Sequence, residues 1–230
     1  MSEPRIALVA EGPTDYEVIS ATLRAILRRP FILTLLQPEA TKPEFGGGWG
    51  GVLKWCHQAA QYGAASLDNY PPLAGFDLVI IHADADVASK SYSDHGPMIS
   101  DRAIRENWGC LPCDLPCPPS LPTVEAVERI ISGWLGTTAL GNKSTFCIPS
   151  KSTGTWLAYA CFPAAHPVLR GGECDLGLED RLSTLKLDER IKKTAAQYRA
   201  KAALVTRNWD KVKTGCPIAS RFETLVLSRI

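Results

Sequence analysis

The sequence contains no apolar run of the roughly 18–20 residues that a membrane-spanning helix needs. Its first apolar run, residues 6–10, is five residues long and is followed at once by Glu11, which is too short for the apolar core of a secretory signal. Internal repeats and low-complexity segments are also absent from the sequence. We therefore expect a cytoplasmic protein with no membrane association.

The sequence is not short of apolar residues, and its positive and negative charges are nearly balanced. The 230 residues are 45% hydrophobic and 21% charged, with a formal net charge of +1, which excludes a disordered chain. The charge is unevenly distributed, because residues 183–230 contain eleven basic and four acidic side chains. An acidic body with a basic tail is typical of a metal site beside a phosphate-binding surface, although a solvated helical face would have the same composition.

Hydrophobic patterning predicts an α/β fold. Short apolar runs typical of buried strands alternate with segments of helical periodicity, which favours a mostly parallel sheet with helices on both faces. We predict an α/β domain over residues 1–182 and a helical, basic C-terminal extension over residues 183–230 packed on it. The predicted strands cover residues 5–10, 31–36, 76–82 and 144–148, and the predicted helices cover residues 14–28, 52–62, 124–135, 155–162, 188–204 and 220–228.

Three acidic residues follow two of the predicted strands. Glu11 comes directly after the first strand, and Asp84 and Asp86 come after the strand at residues 76–82. Ligands of parallel sheets gather at the carboxyl ends of the strands, so we expect these three side chains at one edge. Carboxylates there would hold Mg²⁺ or Mn²⁺, which can activate water and stabilise a phosphoryl transfer. The alternative is that they are ordinary loop acids.

The segments ALVAEGPTDYEVI and LVIIHADADV resemble the two motifs of a Toprim domain, in which a strand-ending Glu-Gly precedes a hydrophobic strand that ends in Asp-x-Asp. The resemblance implies a Rossmann-like sheet and divalent-metal-dependent phosphodiester chemistry. By this resemblance, Glu11 is a general acid or base or a metal ligand, and Asp84 and Asp86 bind Mg²⁺. Asp15 would then support these ligands, but capping of the following helix explains it equally well.

Two further segments, CIPSKSTGTWLAYACF and CPIASRFETLVLSRI, resemble the small stand-alone prokaryotic Toprim proteins related to OLD-family nucleases. This resemblance implies a nuclease of anti-phage defence that acts on DNA or RNA, tRNA included, and that works with an ATPase partner subunit. Such relatives often carry an acid before the Trp, whereas Gly154 and Thr155 precede Trp156 here. The chain is too short for a topoisomerase domain with a nucleophilic Tyr, which favours water as the nucleophile.

Lysines provide the candidate phosphate contacts. Lys151 follows the predicted strand at residues 144–148, and we group it with the catalytic residues because developing negative charge on a phosphate needs a cation. For binding of the nucleic acid we name Lys90, after the second acidic motif, and the tail lysines Lys192, Lys193 and Lys201. The alternative for each of them is a solvated lysine.

Two rival functions stay open at this stage. One is a non-catalytic Toprim-like binding or scaffold subunit of a defence complex, against which the three intact acids argue. The other is a small-molecule phosphotransferase or nucleotide hydrolase, against which the basic tail argues.

The remaining motifs receive structural interpretations. We interpret all eight cysteines as free thiols. Structural Zn²⁺ at Cys110, Cys113 and Cys117 is the less favoured alternative, since no fourth ligand is selected by spacing. The run GGGWGG lacks the Lys-Ser/Thr of a P-loop and is interpreted as a mobile loop, with base stacking by Trp49 as the alternative. We expect His82, at a strand end two residues before Asp84, to pack under the acidic site, with approach to the metal as the alternative.

Overall fold

The computed structural model describes residues 3–39 and 45–230, and within them the chain forms a parallel sheet surrounded by helices. Residues 40–44 of the predicted loop before Trp49 lie outside the described residues. The strands are β1 (Arg5–Val9), β2 (Ile32–Gln37), β3 (Leu78–His82) and β4 (Ser144–Cys147). The α-helices are α1 (Pro13–Leu27), α2 (Gly48–Gln61), α3 (Pro97–Arg105), α4 (Leu121–Trp134), α5 (Thr153–Cys161), α6 (Leu178–Thr184), α7 (Ala195–Arg207), α8 (Trp209–Gly215) and α9 (Pro217–Leu227).

The four strands are all parallel and lie in the order β2-β1-β3-β4. Strand β1 pairs with β2 through Ile6 and Leu33 and with β3 through Ile6 and Leu78. Every residue of β3 is buried, which explains why Leu78–Ile81 are continuously apolar and do not alternate with polar residues. The predicted α/β class with a parallel sheet is confirmed, and each strand lies within two residues of its predicted bounds.

Alternate residues of the central strands enter two separate hydrophobic cores, one on each face of the sheet. Ile6 and Leu8 belong to the core that α1, α5, α7 and α9 cover. Ala7 and Val9 belong to the core that α2 and α4 cover. Because successive side chains of β1 point to opposite faces of the sheet, each face has its own apolar surface, and helices cover both. Across residues 3–39 and 45–230, every helix is too short or too polar to cross a bilayer.

The C-terminal helices complete the first of these cores. Helix α7 packs against α1 and α5, and Tyr198, Trp209 and Phe222 are buried in the same cluster as Ile6 and Leu8. The helix predicted at residues 188–204 begins later, at Ala195, where Thr194 caps it. The boundary at residue 183 stays a prediction.

Several basic residues of the tail form ion pairs within the chain. Arg199 lies 2.7 Å from Glu17, and Arg221 contacts both carboxylate oxygens of Glu128. Lys213 likewise pairs with Glu223, at 2.9 Å. These three of the eleven basic side chains of the tail are therefore engaged in ion pairs within the chain.

The interpretation of GGGWGG as a mobile loop is wrong. Helix α2 begins at Gly48, whose positive φ of 68° favours glycine, and the Gly48 N–H donates to the Glu11 carbonyl at 2.8 Å. Trp49 is buried and stacks on Trp134, with ring centroids 6.1 Å apart. It is therefore not available for base stacking, and the glycines allow α2 to start close to the backbone of Glu11.

The interpretation of all cysteines as free thiols is wrong for two of them. Cys117 forms a disulfide with Cys174, with Cα atoms 5.6 Å apart, because the proline-rich segment folds against residues 171–174. Cys117 consequently has no thiolate to offer to Zn²⁺, which removes the zinc alternative in the form stated above. The other six cysteines are free, and Cys110 is exposed while Cys113 is half-buried.

Residues 85–105 contain α3 and two short 3₁₀ helices. One of them, Ala85–Ser89, carries Asp86. The proline-rich segment is anchored to it, because the Cys113 N–H donates to the Ala88 carbonyl at 2.7 Å.

Candidate metal centre

The candidate site lies at the point in the sheet where the order of the strands reverses. The chain runs from β1 outward to β2 and then crosses back to β3 on the other side of β1. In open α/β sheets such a switch point, at the carboxyl ends of the strands, is the usual location of a ligand crevice. Glu11 follows β1 and Asp84 follows β3, so both stand at this point.

The structure brings the three predicted acids together. A carboxylate oxygen from each of Glu11, Asp84 and Asp86 lies within 4.8 Å of the other two. Glu11 Oε1 accepts a hydrogen bond from the Asp84 N–H at 2.9 Å, which ties the end of β1 to the end of β3. Asp86, on the 3₁₀ helix that follows, is half-buried. This separation is suitable for shared coordination of a divalent cation.

Asp15 and His82 extend the cluster towards the interior. Oxygen or nitrogen atoms of Asp15, His82 and Asp84 also lie within 4.8 Å of one another. Thr153 connects the two aspartates, because its N–H donates to Asp84 at 3.1 Å and its hydroxyl donates to Asp15 at 2.7 Å. Asp15 makes no cap for α1, whose N-cap is Gly12. The capping explanation of Asp15 is therefore wrong.

Burial and mutual repulsion disfavour ionisation of these carboxyls when no cation is present. Burial, and then the charge of Asp84, raises the pKa of Glu11 to about 8. Burial, and then the charge of Asp15, raises the pKa of Asp84 well above its ordinary value. Burial also raises the pKa of Asp86, against the lowering effect of Lys90. A cluster of this kind gains from a cation, because the cation compensates the charge that burial and repulsion oppose.

Helix N-termini add positive potential at the same edge. The first residue of α5 is Thr153, whose backbone N–H points at Asp84, and α1 begins directly after Glu11 and Gly12. The partial positive charge at a helix N-terminus stabilises anionic groups near it. These dipoles offset part of the repulsion among the acids.

Lys193 and Glu179, an acid that no sequence motif marks, lie beside the acidic cluster. Lys193 Nζ is 2.6 Å from Glu179, whose other oxygen accepts from Tyr198 at 2.8 Å. Burial by itself would lower the pKa of Lys193. Its hydrogen bond to Glu179 and the charges of Glu179, Asp84 and Asp15 outweigh that effect, so the pKa is raised above its ordinary value. The predicted tail lysine is thus a neighbour of the acidic cluster.

Glycine at position 154 makes room for Glu179. A Cβ atom at Gly154 would collide with Oε1 of Glu179, so the side chain from α6 occupies the space beside α5 that a larger residue would fill. An acid therefore does stand near this segment, although it comes from α6. Only the fold could reveal this, because 25 residues separate the two positions.

Among the other predicted lysines, Lys90 contacts one of the three acids directly. Lys90 Nζ lies 3.7 Å from Asp86. Lys151 is buried, and its backbone carbonyl accepts the Asp86 N–H at 3.4 Å, but its ammonium group forms no ion pair with any described residue. Lys192 is exposed and Lys201 is half-buried, and neither pairs with an acid among the described residues.

No protein-family model, curated protein sequence or solved structure matches this chain. The chemistry of the site is therefore inferred from its own geometry.

Proposed function

We propose that the protein is a divalent-metal-dependent nuclease of Toprim-like, Rossmann-like fold, in which Glu11, Asp84 and Asp86 bind Mg²⁺ or Mn²⁺. The observation that carries the proposal is the convergence of these three carboxylates at the switch point between two adjacent parallel strands. A bound cation would supply activation of water and stabilisation of a developing oxyanion. The role in prokaryotic defence and the ATPase partner depend on the family resemblance alone.

Each residue of the site has a distinct role in this proposal. Asp84 and Asp86 hold the cation, and Glu11, half-buried at the edge, holds it as well or takes a proton from the attacking water. Thr153 orients Asp84 and Asp15 through its hydrogen bonds. Lys151 and Lys193 are the cations from which a scissile phosphate would gain stabilisation.

A cavity between α1 and α7 is the candidate path for the nucleic-acid backbone. It has a volume of about 660 Å³, and its lining includes Tyr16, Glu17, Arg24 and Arg207. Neither arginine forms an ion pair with a described acid. Phosphate groups would meet these guanidiniums, which bind phosphate in a bidentate manner.

The proposal is tested by incubating the chelator-treated protein with plasmid DNA, single-stranded DNA and total tRNA. We expect cleavage of at least one substrate on addition of Mg²⁺ or Mn²⁺, and none with EDTA. Glu106→Gln, on an acid outside the site, is the matched control for Glu11→Gln. Cleavage that survives EDTA, or that Glu11→Gln leaves intact, would contradict the assignment.

Neutralisation of the tail lysines will separate the role of Lys193 from that of Lys192 and Lys201. Lys192→Ala and Lys201→Ala are expected to weaken the salt dependence of nucleic-acid binding. The slope of log affinity against log salt concentration should become less steep by about 0.7–0.9 for each phosphate contact that is lost. Lys193→Ala is expected in addition to strengthen Mg²⁺ binding, because it removes the positive charge that pairs with Glu179 beside the acids. Lys192→Ala, the adjacent position, is the control for that effect. Unchanged slopes in all three variants would contradict the role of the tail.

One rival function gains support from the internal ion pairs of the tail. Because Arg199, Lys213 and Arg221 are already paired, less positive charge is available for a polymer than the composition indicates. A nucleotide hydrolase or phosphotransferase is therefore the second candidate. A nucleoside triphosphate arm in the same assay distinguishes it, since phosphate release without cleavage of nucleic acid would favour the rival.

A further inference from the structure

A buried histidine stands inside the acidic cluster without a hydrogen-bond partner. The His82 side chain has no solvent exposure, and neither of its ring nitrogens is hydrogen-bonded to any described residue. Its Nε2 lies 3.2 Å from Asp84 Oδ1 without forming a hydrogen bond. An unsatisfied polar group in a protein interior is costly, and such a group in a native structure often marks a ligand.

We propose that Asp15, His82 and Asp84 form a second, inner cation site that takes a first-row transition-metal ion in preference to Mg²⁺. The inference rests on the proposed function, because the inner site shares Asp84 with the outer group of Glu11, Asp84 and Asp86. Asp84 has two carboxylate oxygens, so it can serve one cation with each. The two sites otherwise have no ligand in common.

The spacing of the donor atoms fits a single small cation. Two adjacent ligands of an octahedral ion with bonds of about 2.1 Å are about 3.0 Å apart. The separation of 3.2 Å between His82 Nε2 and Asp84 Oδ1 is close to that value. Asp15 Oδ1 is directed by the Thr153 hydroxyl, which leaves its second oxygen for the ion.

The imidazole determines the selectivity of the inner site. Mg²⁺ prefers oxygen ligands, whereas an imidazole nitrogen favours transition metals. The outer group consists of carboxylates alone and is suited to Mg²⁺. His82 and Asp15 are almost fully buried, so an ion reaches them through the outer group, where Glu11 and Asp86 are half-buried.

Calorimetry on the chelator-treated full chain tests this inference, with Mn²⁺ and Mg²⁺ as probes. We expect two Mn²⁺ ions per wild-type chain, and one in each of Asp86→Asn and His82→Asn. Asp86→Asn, which alters only the outer group, should keep the preference for Mn²⁺ over Mg²⁺. His82→Asn should lower the Mn²⁺ affinity of the inner site by at least about 10–100-fold, the range seen when only a supporting residue is lost. His57→Asn, outside the site, should behave as wild type.

A spectroscopic readout identifies the ligand directly. In protein with ¹⁵N-labelled histidine and Mg²⁺ present, Zn²⁺ should shift the Nε2 resonance of His82 and leave that of His57 in place. Asp15→Asn serves as a second variant if His82→Asn fails to fold, and it should abolish the shift.

Different results would overturn the inference and the proposed function. A single Mn²⁺ per wild-type chain, or a His82 resonance that Zn²⁺ does not move, overturns the inner site even if Mg²⁺-dependent cleavage is observed. A His82-dependent second ion in a protein that cleaves no nucleic acid supports the inner site while the nuclease proposal fails.

Discussion

Glu11→Gln will lower the rate of metal-dependent cleavage by about 10²–10⁴-fold, the usual cost of removing a general base. The amide can neither take a proton nor bind Mg²⁺ well, and weaker metal binding will add to the loss. The fold should be unharmed, because the amide oxygen can still accept the hydrogen bond that Glu11 Oε1 accepts from the Asp84 N–H. Cleavage rate and melting temperature, measured with and without Mg²⁺, separate the two effects.

The same variant should change how the stability of the metal-free protein depends on pH. Since the pKa of Glu11 is raised to about 8, the folded state keeps a proton that the unfolded state loses above its ordinary value of 4.5. The stability of the wild type should therefore fall as the pH rises from about 4.5 to about 8, by at most about 1.4 kcal/mol per pH unit for this group. Glu11→Gln should have a shallower decline and be the more stable protein near pH 8.

Urea denaturation at pH 5.5 and pH 7.5 after chelation measures this difference, with Glu125→Gln, at an exposed position on α4, as the control. Cleavage by Glu11→Gln at a rate near that of the wild type would refute the assignment of catalysis to this site. A variant that has unfolded would be recognised by its melting curve, and Glu11→Ala would then repeat the comparison.

Asp84→Asn should cause the largest loss of cation affinity of any single substitution in the site. Asp84 belongs to both the outer and the inner group of donor atoms, so one neutral side chain weakens both. Affinity for Mg²⁺ and for Mn²⁺ should each fall by at least about 10–100-fold. Loss of cleavage should follow in parallel.

The metal-free fold should tolerate this change. Burial and the charge of Asp15 raise the pKa of Asp84 well above its ordinary value, so the uncharged Asn resembles the form that the metal-free protein favours. The amide oxygen can still accept the Thr153 N–H, which Asp84 Oδ1 now accepts at 3.1 Å. Calorimetric titration is the measurement, and Asp101→Asn, an exposed position on α3, is the control. Unchanged Mg²⁺ affinity in Asp84→Asn would contradict the site.

The sequence by itself determined the strands and the position of the three acids. Continuous apolar runs predict buried parallel strands, and this pattern is local, so β1 and β3 lie close to their predicted bounds. Because parallel strands present their carboxyl ends at one edge, the juxtaposition of Glu11 with Asp84 and Asp86 also followed from the sequence. The grouping of Glu11, Asp84 and Asp86 could therefore be predicted without the structure.

The helices were less predictable where tertiary contacts decide their bounds. Glycine disfavours helices, so the local preference of GGGWGG is for a loop. Trp49 is buried against Trp134, however, and this packing outweighs the local preference, so that α2 begins at Gly48. The disulfide was missed for a similar reason, because Cys117 and Cys174 are 57 residues apart and only folding makes them neighbours.

The contacts within the inner part of the site were decided by the tertiary structure. Spacing in the sequence places Asp15 on a helix and His82 in a strand, and each has an ordinary structural explanation there. Their contact with Asp84, and the approach of Glu179 and Lys193 from the C-terminal third of the chain, depend on how α1, α5, α6 and α7 pack around the end of β3. Such packing sums many weak contacts between distant segments, whereas strand periodicity and the order of motifs are properties of short segments.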